Sequence, residues 1–232
     1  MVYHLAARVT TPFADAEFHG LEQVNHWGSA ELSYALEEQP IKRVIYLSST
    51  SVYGSAEDVD IETPPTPVTA YGISKLNGER MLARLSDQMD VYILRCANVY
   101  GYSRSMRFDA VINRFLFEAH FNGRISIQGS GTQKRAFIHI DHVAQILAQC
   151  APGLAPGFAQ GLAPGCYNLV ERNLSVGEIA SALTEIYPQL ERIYLEQDMG
   201  RRNLSVRPDP RLVLEPGDFI AQLRYFSARF SF

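Results

Sequence analysis

The chain of 232 residues lacks several features that mark specialised classes of protein. It contains only three cysteines, and no pair of them has a Cys-x-x-Cys spacing. This pattern speaks against a disulfide framework, and we interpret Cys96, Cys150 and Cys166 as reduced thiols of a cytoplasmic protein. No apolar run approaches the roughly 18 residues of a membrane span, so we expect no membrane partner. The first residues have neither a basic head nor a long apolar stretch, so we expect no secretory signal.

An excess of positive charge is also missing. The chain has 21 basic and 25 acidic side chains, which gives a formal net charge of −4. This balance speaks against a polybasic protein, and we expect no nucleic-acid partner. Apolar residues make up 47% and aromatic residues 11% of the sequence, which predicts a globular protein with a real core and argues against disorder.

The first part of the chain alternates between strand and helix patterns. Residues 44–47 and 91–94 are continuous apolar runs, typical of strands that are buried on both faces of a parallel sheet. Residues 2–7 form a shorter run of the same kind. Apolar residues recur at helical spacing over 21–39 and 70–87. The order strand, helix, strand, helix, strand predicts an α/β fold with a parallel sheet covered by helices.

The rest of the chain gives a more mixed pattern. Gly-Leu-Ala-Pro-Gly occurs twice, at 153–157 and 161–165, and we interpret residues 151–165 as a loop. The elements predicted around this loop are a helix over 108–121, strands at 125–127 and 137–140, a helix capped by Asp141 up to Cys150, a strand at 166–170, and a helix that begins at Ser175 with Glu178 completing a capping box.

Tyr71 and Lys75 are the most informative pair. Residues four apart on a helix share one face, about 6 Å apart along the axis. An ammonium beside a phenol lowers the tyrosine pKa, which favours a general base near neutral pH. Ser49 follows a buried strand, where open α/β sheets bind their ligands. We therefore predict a catalytic set of Ser49, Tyr71 and Lys75; the alternative is a surface Tyr and Lys without function.

The chain resembles a known family, the extended short-chain dehydrogenase/reductases. Within them, it resembles the NAD-dependent epimerase/dehydratase family that acts on nucleotide sugars. Six motifs in order carry the resemblance, over most of the chain. They are His4-Leu5-Ala6-Ala7, Asn25 with Gly28, Ser48-Ser49-Thr50-Ser51-Val52-Tyr53-Gly54, Tyr71-Gly72-Ile73-Ser74-Lys75, Leu94-Arg95-Cys96-Ala97-Asn98-Val99-Tyr100-Gly101, and the segment from Gly129 to Asp141.

The resemblance implies a role for each matching residue. Tyr71 is expected to take the proton of a sugar hydroxyl, Lys75 to hold the nicotinamide ribose, and Ser49 to hydrogen-bond the reacting oxygen. NAD, rather than NADP, is the expected cofactor, and a nucleotide-diphosphate sugar is the expected substrate. Guanidinium groups suit diphosphate oxygens, although a solvated surface charge is the alternative for each arginine. The further expected cofactor contacts are Leu5, Ala6, Ala7 and Ala97, and the expected substrate contacts are Asn98, Gln128, Arg135 and Arg202.

The resemblance also implies an architecture. Residues 1–101 are expected to be the C-terminal part of a NAD-binding Rossmann domain, a partial doubly wound parallel sheet. Residues 102–232 are expected to form a smaller mixed α/β substrate-binding region, with 137–150 and 166–170 returning to the first part. The helices at 21–39 and 70–87 are expected to form a homodimer contact.

One departure from the family concerns the N-terminal part of the chain. The family's glycine-rich turn, its first three strands and the ribose-binding acid have no match here. The Gly129-Ser130-Gly131 segment has Lys134 where a third glycine would fall. A gene that starts earlier, a remnant, and a second chain that supplies the missing half all stay open.

The residues after Ser49 help to choose a reaction. The family's 4,6-dehydratases carry acidic residues there, whereas this chain has Thr50 and Ser51. This favours a 4-epimerase with transient oxidation at C4. A dehydratase or reductase, and a truncated non-catalytic relative that binds a nucleotide sugar or a partner chain, stay as alternatives. We interpret His139, Asp141 and His142 as a strand-to-helix junction and predict no metal site.

Overall fold

A computed structural model of the chain describes residues 1–9, 18–151, 162–196, 203–212 and 214–230. The strands in these ranges are β1 (Val2–His4), β2 (Arg43–Ser49), β3 (Ala56–Val59), β4 (Asp90–Cys96), β5 (Asn98–Tyr100), β6 (Arg124–Gln128), β7 (Lys134–His139), β8 (Gly165–Leu169), β9 (Arg172–Ser175), β10 (Glu191–Leu195) and β11 (Leu204–Val206). The helices are α1 (Phe18–Leu21), α2 (Gly28–Glu37), α3 (Ala70–Ala83), α4 (Val111–Asn122), α5 (Ile140–Gln149), α6 (Val176–Ile186) and α7 (Phe219–Ser227). A π-helical turn, Glu22–Trp27, joins α1 to α2.

The main sheet has four parallel strands in the order β1, β2, β4, β8. The middle strands read as continuous apolar runs because helices cover both faces of the sheet. Leu36 and Leu82 pack on one face with Tyr46, while Val143 and Ile146 pack on the other with Ile45. The predicted α/β fold with a parallel sheet is therefore confirmed.

β1 is shorter than predicted. It pairs with β2 only from Val2 to His4, whereas the pattern predicted a strand up to Ala7. The chain then turns toward Asn25, whose side-chain amide accepts a hydrogen bond from the Arg8 backbone N at 2.8 Å and donates one to the Arg8 carbonyl at 2.8 Å. This two-point contact with the π-helical turn draws the chain away from the sheet.

A second layer packs beside the sheet. It contains three smaller sheets, with strand orders β5, β7, β9, then β10, β6, and β11, β3. Helices α4, α6 and α7 bury an apolar cluster that includes Phe115, Ile179 and Phe226. β8 and α5 come from the later part of the chain but pack on the main sheet, through the β4–β8 ladder and through Val143 and Ile146.

The helix boundaries correct two predictions. α4 begins at Val111 and not at Phe108. α5 is capped by His139 and not by Asp141, because the His139 Nδ1 accepts the Asp141 backbone N–H at 3.3 Å. The capping box of α6 is confirmed: the Glu178 backbone N donates to the Ser175 Oγ at 3.1 Å.

The predicted loop at 151–165 lies mostly outside the described residues, and its last residue, Gly165, begins β8. Among the helices of the described ranges, none combines the length and the apolar character that crossing a membrane requires.

Candidate active site

An open cleft of about 950 Å³ lies at the carboxyl ends of β2 and β4. This is the edge at which parallel sheets of this kind bind ligands. The cleft brings together eight residues that the sequence singled out, in five segments of the chain. They are Leu5, Ala7, Ser49, Tyr71, Lys75, Ala97, Asn98 and Arg135.

Ser49 is the last residue of β2 and caps the short helical turn that follows. Its Oγ accepts the Ser51 backbone N–H at 3.2 Å and donates to the Ser51 Oγ at 3.2 Å. The first turn of α3 lies directly against this segment, because a Cβ at Gly72 would stand 2.5 Å from the Ser51 carbonyl oxygen. Glycine at position 72 therefore lets Tyr71 approach Ser49, close enough for the serine hydroxyl to influence the phenol.

The pKa of Tyr71 shifts in the direction opposite to the prediction. Burial raises the pKa of the Tyr71 phenol, and the hydrogen bond with Ser49 offsets only part of this effect. The Lys75 Nζ lies over the ring of Tyr46, 4.2 Å from its centroid. The prediction that Lys75 lowers the pKa of Tyr71 is therefore wrong for this state of the protein, because desolvation of the phenol dominates.

Lys75 itself is almost completely buried. Burial lowers the pKa of its ammonium to about 8, and the Glu79 carboxylate opposes this shift. The neighbouring Cys96 is buried too, which raises the pKa of its thiol to about 12. A thiol with such a pKa is a poor nucleophile near neutral pH, so Cys96 acts as an apolar wall of the cleft.

The charged residues that the structure describes in the lining of the cleft are all basic. Lys75, Arg107 and Arg135 line it, whereas no aspartate or glutamate stands among the described lining residues. Such a lining suits an anionic ligand. Sequence reasoning missed Arg107, which pairs with Asp109 at 2.5 Å. Its signal in the sequence was a loop with two arginines after Gly101.

Two predicted site residues do not line the cleft, and a third lies outside the described residues. Leu5 and Ala7 line it but Ala6 does not, as expected for an extended segment whose side chains alternate in direction. Gln128 is not among the described lining residues; it ends β6, whose pairing with β10 carries it into the second layer, where its Oε1 has no hydrogen-bond partner. Arg202 lies outside the described residues.

The segment with His139 and His142 contacts the buried carboxylate of Glu171. Glu171 Oε2 accepts the His139 backbone N–H at 2.9 Å and lies 3.2 Å from His142 Nδ1. No group of three or more His, Cys, Asp or Glu suited to a metal ion occurs in the part of the chain that the structure describes.

Comparison with known proteins assigns the chain to a family. The family model of the NAD dependent epimerase/dehydratase family matches residues 1–153. The chain belongs to this family of enzymes. The human dTDP-D-glucose 4,6-dehydratase is 29% identical over 161 residues, which cover 66% of this chain and 45% of that protein. An uncharacterized UDP-glucose epimerase of Bacillus subtilis, YtcB, is 25% identical over 96% of this chain and 66% of its own length. The chain thus spans about half to two thirds of the length of these relatives.

Solved structures share the fold. The UDP-glucose 4-epimerase of Thermotoga maritima with UDP-glucose superposes with a TM-score of 0.85 at 23% identity, over 99% of this chain and 76% of that one. MoeE5 in complex with UDP-glucose and NAD superposes with a TM-score of 0.82 at 25% identity, over 98% and 77% of the two chains.

The residues present fit one end of a nicotinamide cofactor. The cleft offers the apolar Leu5, the small Ala7 and Ala97, and the buried cation of Lys75 beside Tyr71. These groups suit a nicotinamide ring and its ribose hydroxyls. The sequence contains no glycine-rich turn at a helix start to bind the pyrophosphate.

Proposed function

We propose that the chain acts as an NAD-dependent nucleotide-sugar epimerase that inverts the sugar at C4. One observation carries the proposal: a single cleft joins Ser49, Tyr71 and Lys75 to a lining whose described charges are all positive. The first three groups suit proton transfer at a sugar hydroxyl, and the positive lining suits the diphosphate.

In this proposal the side chains transfer one proton to and from the C4 hydroxyl of the sugar. Tyr71 accepts the proton of the C4 hydroxyl and returns it at the end of the reaction, while Ser49 hydrogen-bonds the same oxygen. Bound NAD supplies the acceptor and donor of the hydride. Because burial raises the pKa of Tyr71, the phenol needs a cation beside it to lose its proton. Lys75, one turn further along α3, supplies that charge once its ammonium leaves the ring of Tyr46.

The proposed substrate contacts are three further polar residues of the cleft lining. We propose that Arg107 and Arg135 bind the diphosphate, with Asn98 at the same wall. The Asn98 side chain is held in place by donating to the Ala136 carbonyl at 3.0 Å. The earlier expectation for Arg202, a second phosphate contact, stays a prediction.

A 4,6-dehydratase is the second candidate, favoured by the human relative of that activity. Elimination of water needs an acid and a base besides Tyr71. Thr50 and Ser51 offer only hydroxyl groups, and no carboxylate stands among the described lining residues. The products separate the two candidates, because an epimerase returns a sugar of unchanged mass whereas a dehydratase releases a keto sugar that is lighter by one water.

We also propose a cytoplasmic homodimer. Its contact would use the exposed apolar side chains beside and on α2, Trp27 and Tyr34. The three cysteines are free, which suits a reducing compartment. A monomer by light scattering at micromolar concentration would contradict the dimer.

The first experiment is NAD binding by the purified chain, measured by calorimetry, followed by product analysis with UDP-sugars. We expect binding and epimer formation, and a loss of turnover of about 10²- to 10⁴-fold in Tyr71→Phe. Tyr194→Phe removes a hydroxyl from an exposed tyrosine outside the cleft and should leave turnover unchanged. A folded wild-type chain that does not bind NAD would overturn the proposal for this chain by itself, and leave a non-catalytic relative or a chain that needs the missing half of the cofactor domain.

A further inference from the structure

A buried ion pair lies directly behind the candidate active site. The Arg95 guanidinium, on β4, and the Glu79 carboxylate, on α3, have side chains that are only 10% and 5% exposed. Two nitrogens of Arg95 reach the two carboxylate oxygens, Nε to Oε1 at 3.1 Å and a terminal nitrogen to Oε2 at 2.8 Å. This is the forked geometry in which a guanidinium fixes both the distance and the orientation of its partner.

The pair is connected to every segment that carries the catalytic set. The Ser48 Oγ, next to Ser49 in β2, donates to Glu79 Oε1 at 2.6 Å. The second terminal nitrogen of Arg95 donates to the Tyr53 hydroxyl, in the turn after Ser49, at 2.9 Å. The Tyr53 hydroxyl then donates to Asn168 Oδ1 on β8 at 2.8 Å. One network thus joins α3 to three strands of the main sheet.

Stability alone does not explain this arrangement. A buried ion pair often contributes no more stability than apolar side chains of similar volume, because both charges lose their hydration. Its distinctive property is that it fixes the relative orientation of the two groups, which apolar contacts do not. Direction matters for α3, because its buried residues are mostly small or polar and only Leu76 and Leu82 are large and apolar.

The spacing along α3 links the pair to the chemistry. Tyr71, Lys75 and Glu79 follow one another at intervals of four residues and therefore lie along one face of the helix. We propose that the Glu79–Arg95 pair is a positioning device, which fixes the rotation of α3 against the ends of β2 and β4 and thereby holds Tyr71 and Lys75 in register with Ser49. The catalytic meaning of this register rests on the function proposed above.

The test replaces both charges at once, so that neither is left buried alone. We compare Glu79→Met/Arg95→Met with Glu37→Met/Arg84→Met, which removes a partly exposed ion pair between α2 and the turn after α3. Two readouts are recorded by NMR on the full chain: the contact between the Tyr71 ring and the Ser49 methylene, and the titration of the Lys75 side chain. Urea unfolding reports the stability of both variants.

We expect the Glu79→Met/Arg95→Met variant to fold with near wild-type stability but to lose the contact between Tyr71 and Ser49. Its Lys75 titration should move down by about half a pH unit or more, because the carboxylate that favours the charged form is gone. The Glu37→Met/Arg84→Met variant should match the wild type in both readouts. If the first variant folds and keeps both readouts, or if it cannot fold at all, the positioning role is overturned.

Glu79→Asp separates position from charge. It keeps the negative charge but shortens the side chain by one methylene, so the forked contact with Arg95 cannot form in the same place. Positioning predicts a lost contact between Tyr71 and Ser49, whereas an intact contact would leave only an electrostatic role and contradict the proposal. These readouts need no cofactor, so a wild-type chain that fails to bind NAD would overturn the proposed function without affecting this test.

Discussion

The main sheet with α3 and the second layer around α4 both bury apolar clusters, but the interior behind the cleft adds an ion pair and its polar partners. Behind the cleft, the interior contains Ser48, Lys75, Glu79, Arg95 and Asn168. The cluster between α4, α6 and α7 consists of apolar residues. Apolar packing stabilises without specifying direction, whereas hydrogen bonds and ion pairs specify direction at little net gain in stability. The chain thus uses directional contacts where chemistry needs geometry, and apolar contacts where it needs stability.

The largest expected effect is in the apolar layer. Phe115→Ala removes a side chain that is 1% exposed, and we expect a loss of about 3–5 kcal/mol in the free energy of unfolding. Phe117→Ala is the matched control on the same helix, because Phe117 is 38% exposed and its loss should cost clearly less. Urea unfolding measures both. Equal losses would contradict the contrast between the two regions.

The next largest loss of stability is expected when a hydrogen bond in the polar interior is removed. Ser48→Ala removes one of the two hydrogen bonds that Oε1 of the buried Glu79 carboxylate accepts, and we expect a cost of roughly 2 kcal/mol, as for hydrogen bonds to charged groups. Ser86→Ala removes an exposed hydroxyl that donates to the Ala83 carbonyl, and it should have almost no effect. A loss below about 0.5 kcal/mol for Ser48→Ala would show that the polar interior relaxes easily.

A smaller effect depends on pH. Burial, and then the charge of Lys75, lower the pKa of His4 to about 4. Because the unfolded chain binds this proton near pH 6.5, the stability that a neutral His4 contributes is complete above pH 6.5 and is lost as the pH falls toward 4. Allowing for the exposed part of the ring, we expect roughly 1 to 2 kcal/mol.

His4→Gln tests this pH dependence, because glutamine does not titrate. The difference in unfolding free energy between pH 7.5 and pH 4.5 should be smaller in the variant than in the wild type. An identical difference in the two proteins would show that His4 is not kept neutral by the fold.

The smallest effects compare two helix caps. The Thr69 Oγ1 accepts the Gly72 backbone N–H at 3.0 Å at the start of α3, and Ser175 caps α6. Thr69→Ala and Ser175→Ala should each cost about 1 kcal/mol. Only Thr69→Ala should also weaken the contact between Tyr71 and Ser49 in NMR spectra, because it loosens the turn that carries Tyr71. A similar change in both variants would contradict separate roles for the two regions.

Much of the main sheet could be predicted because its signals are local. The apolar runs at 44–47 and 91–94 became β2 and β4, and Ser175 with Glu178 formed the predicted capping box. The pairing of β11 with β3 could not be predicted, since it joins residues about 150 positions apart and β11 is only three residues long.

The candidate site shows the same division. Ser49, Tyr71 and Lys75 were found from spacing and from their place at a strand end, and the structure brings them to one cleft. Gln128 does not stand among the described lining residues, because β6 pairs with β10, and this pairing is not visible in its local sequence. Arg107 was missed because its loop reaches the cleft only through tertiary packing.

The amino-acid sequence by itself determined the alternation of strands and helices, the helix start at Ser175, and the face shared by Tyr71 and Lys75. These properties depend on residues at most a few positions apart, so they can be read along the chain. Only the tertiary structure decided that the Lys75 ammonium lies on the ring of Tyr46 and that burial raises the pKa of Tyr71. Both depend on how much water remains around a group and on what stands opposite to it, and packing between distant segments sets both.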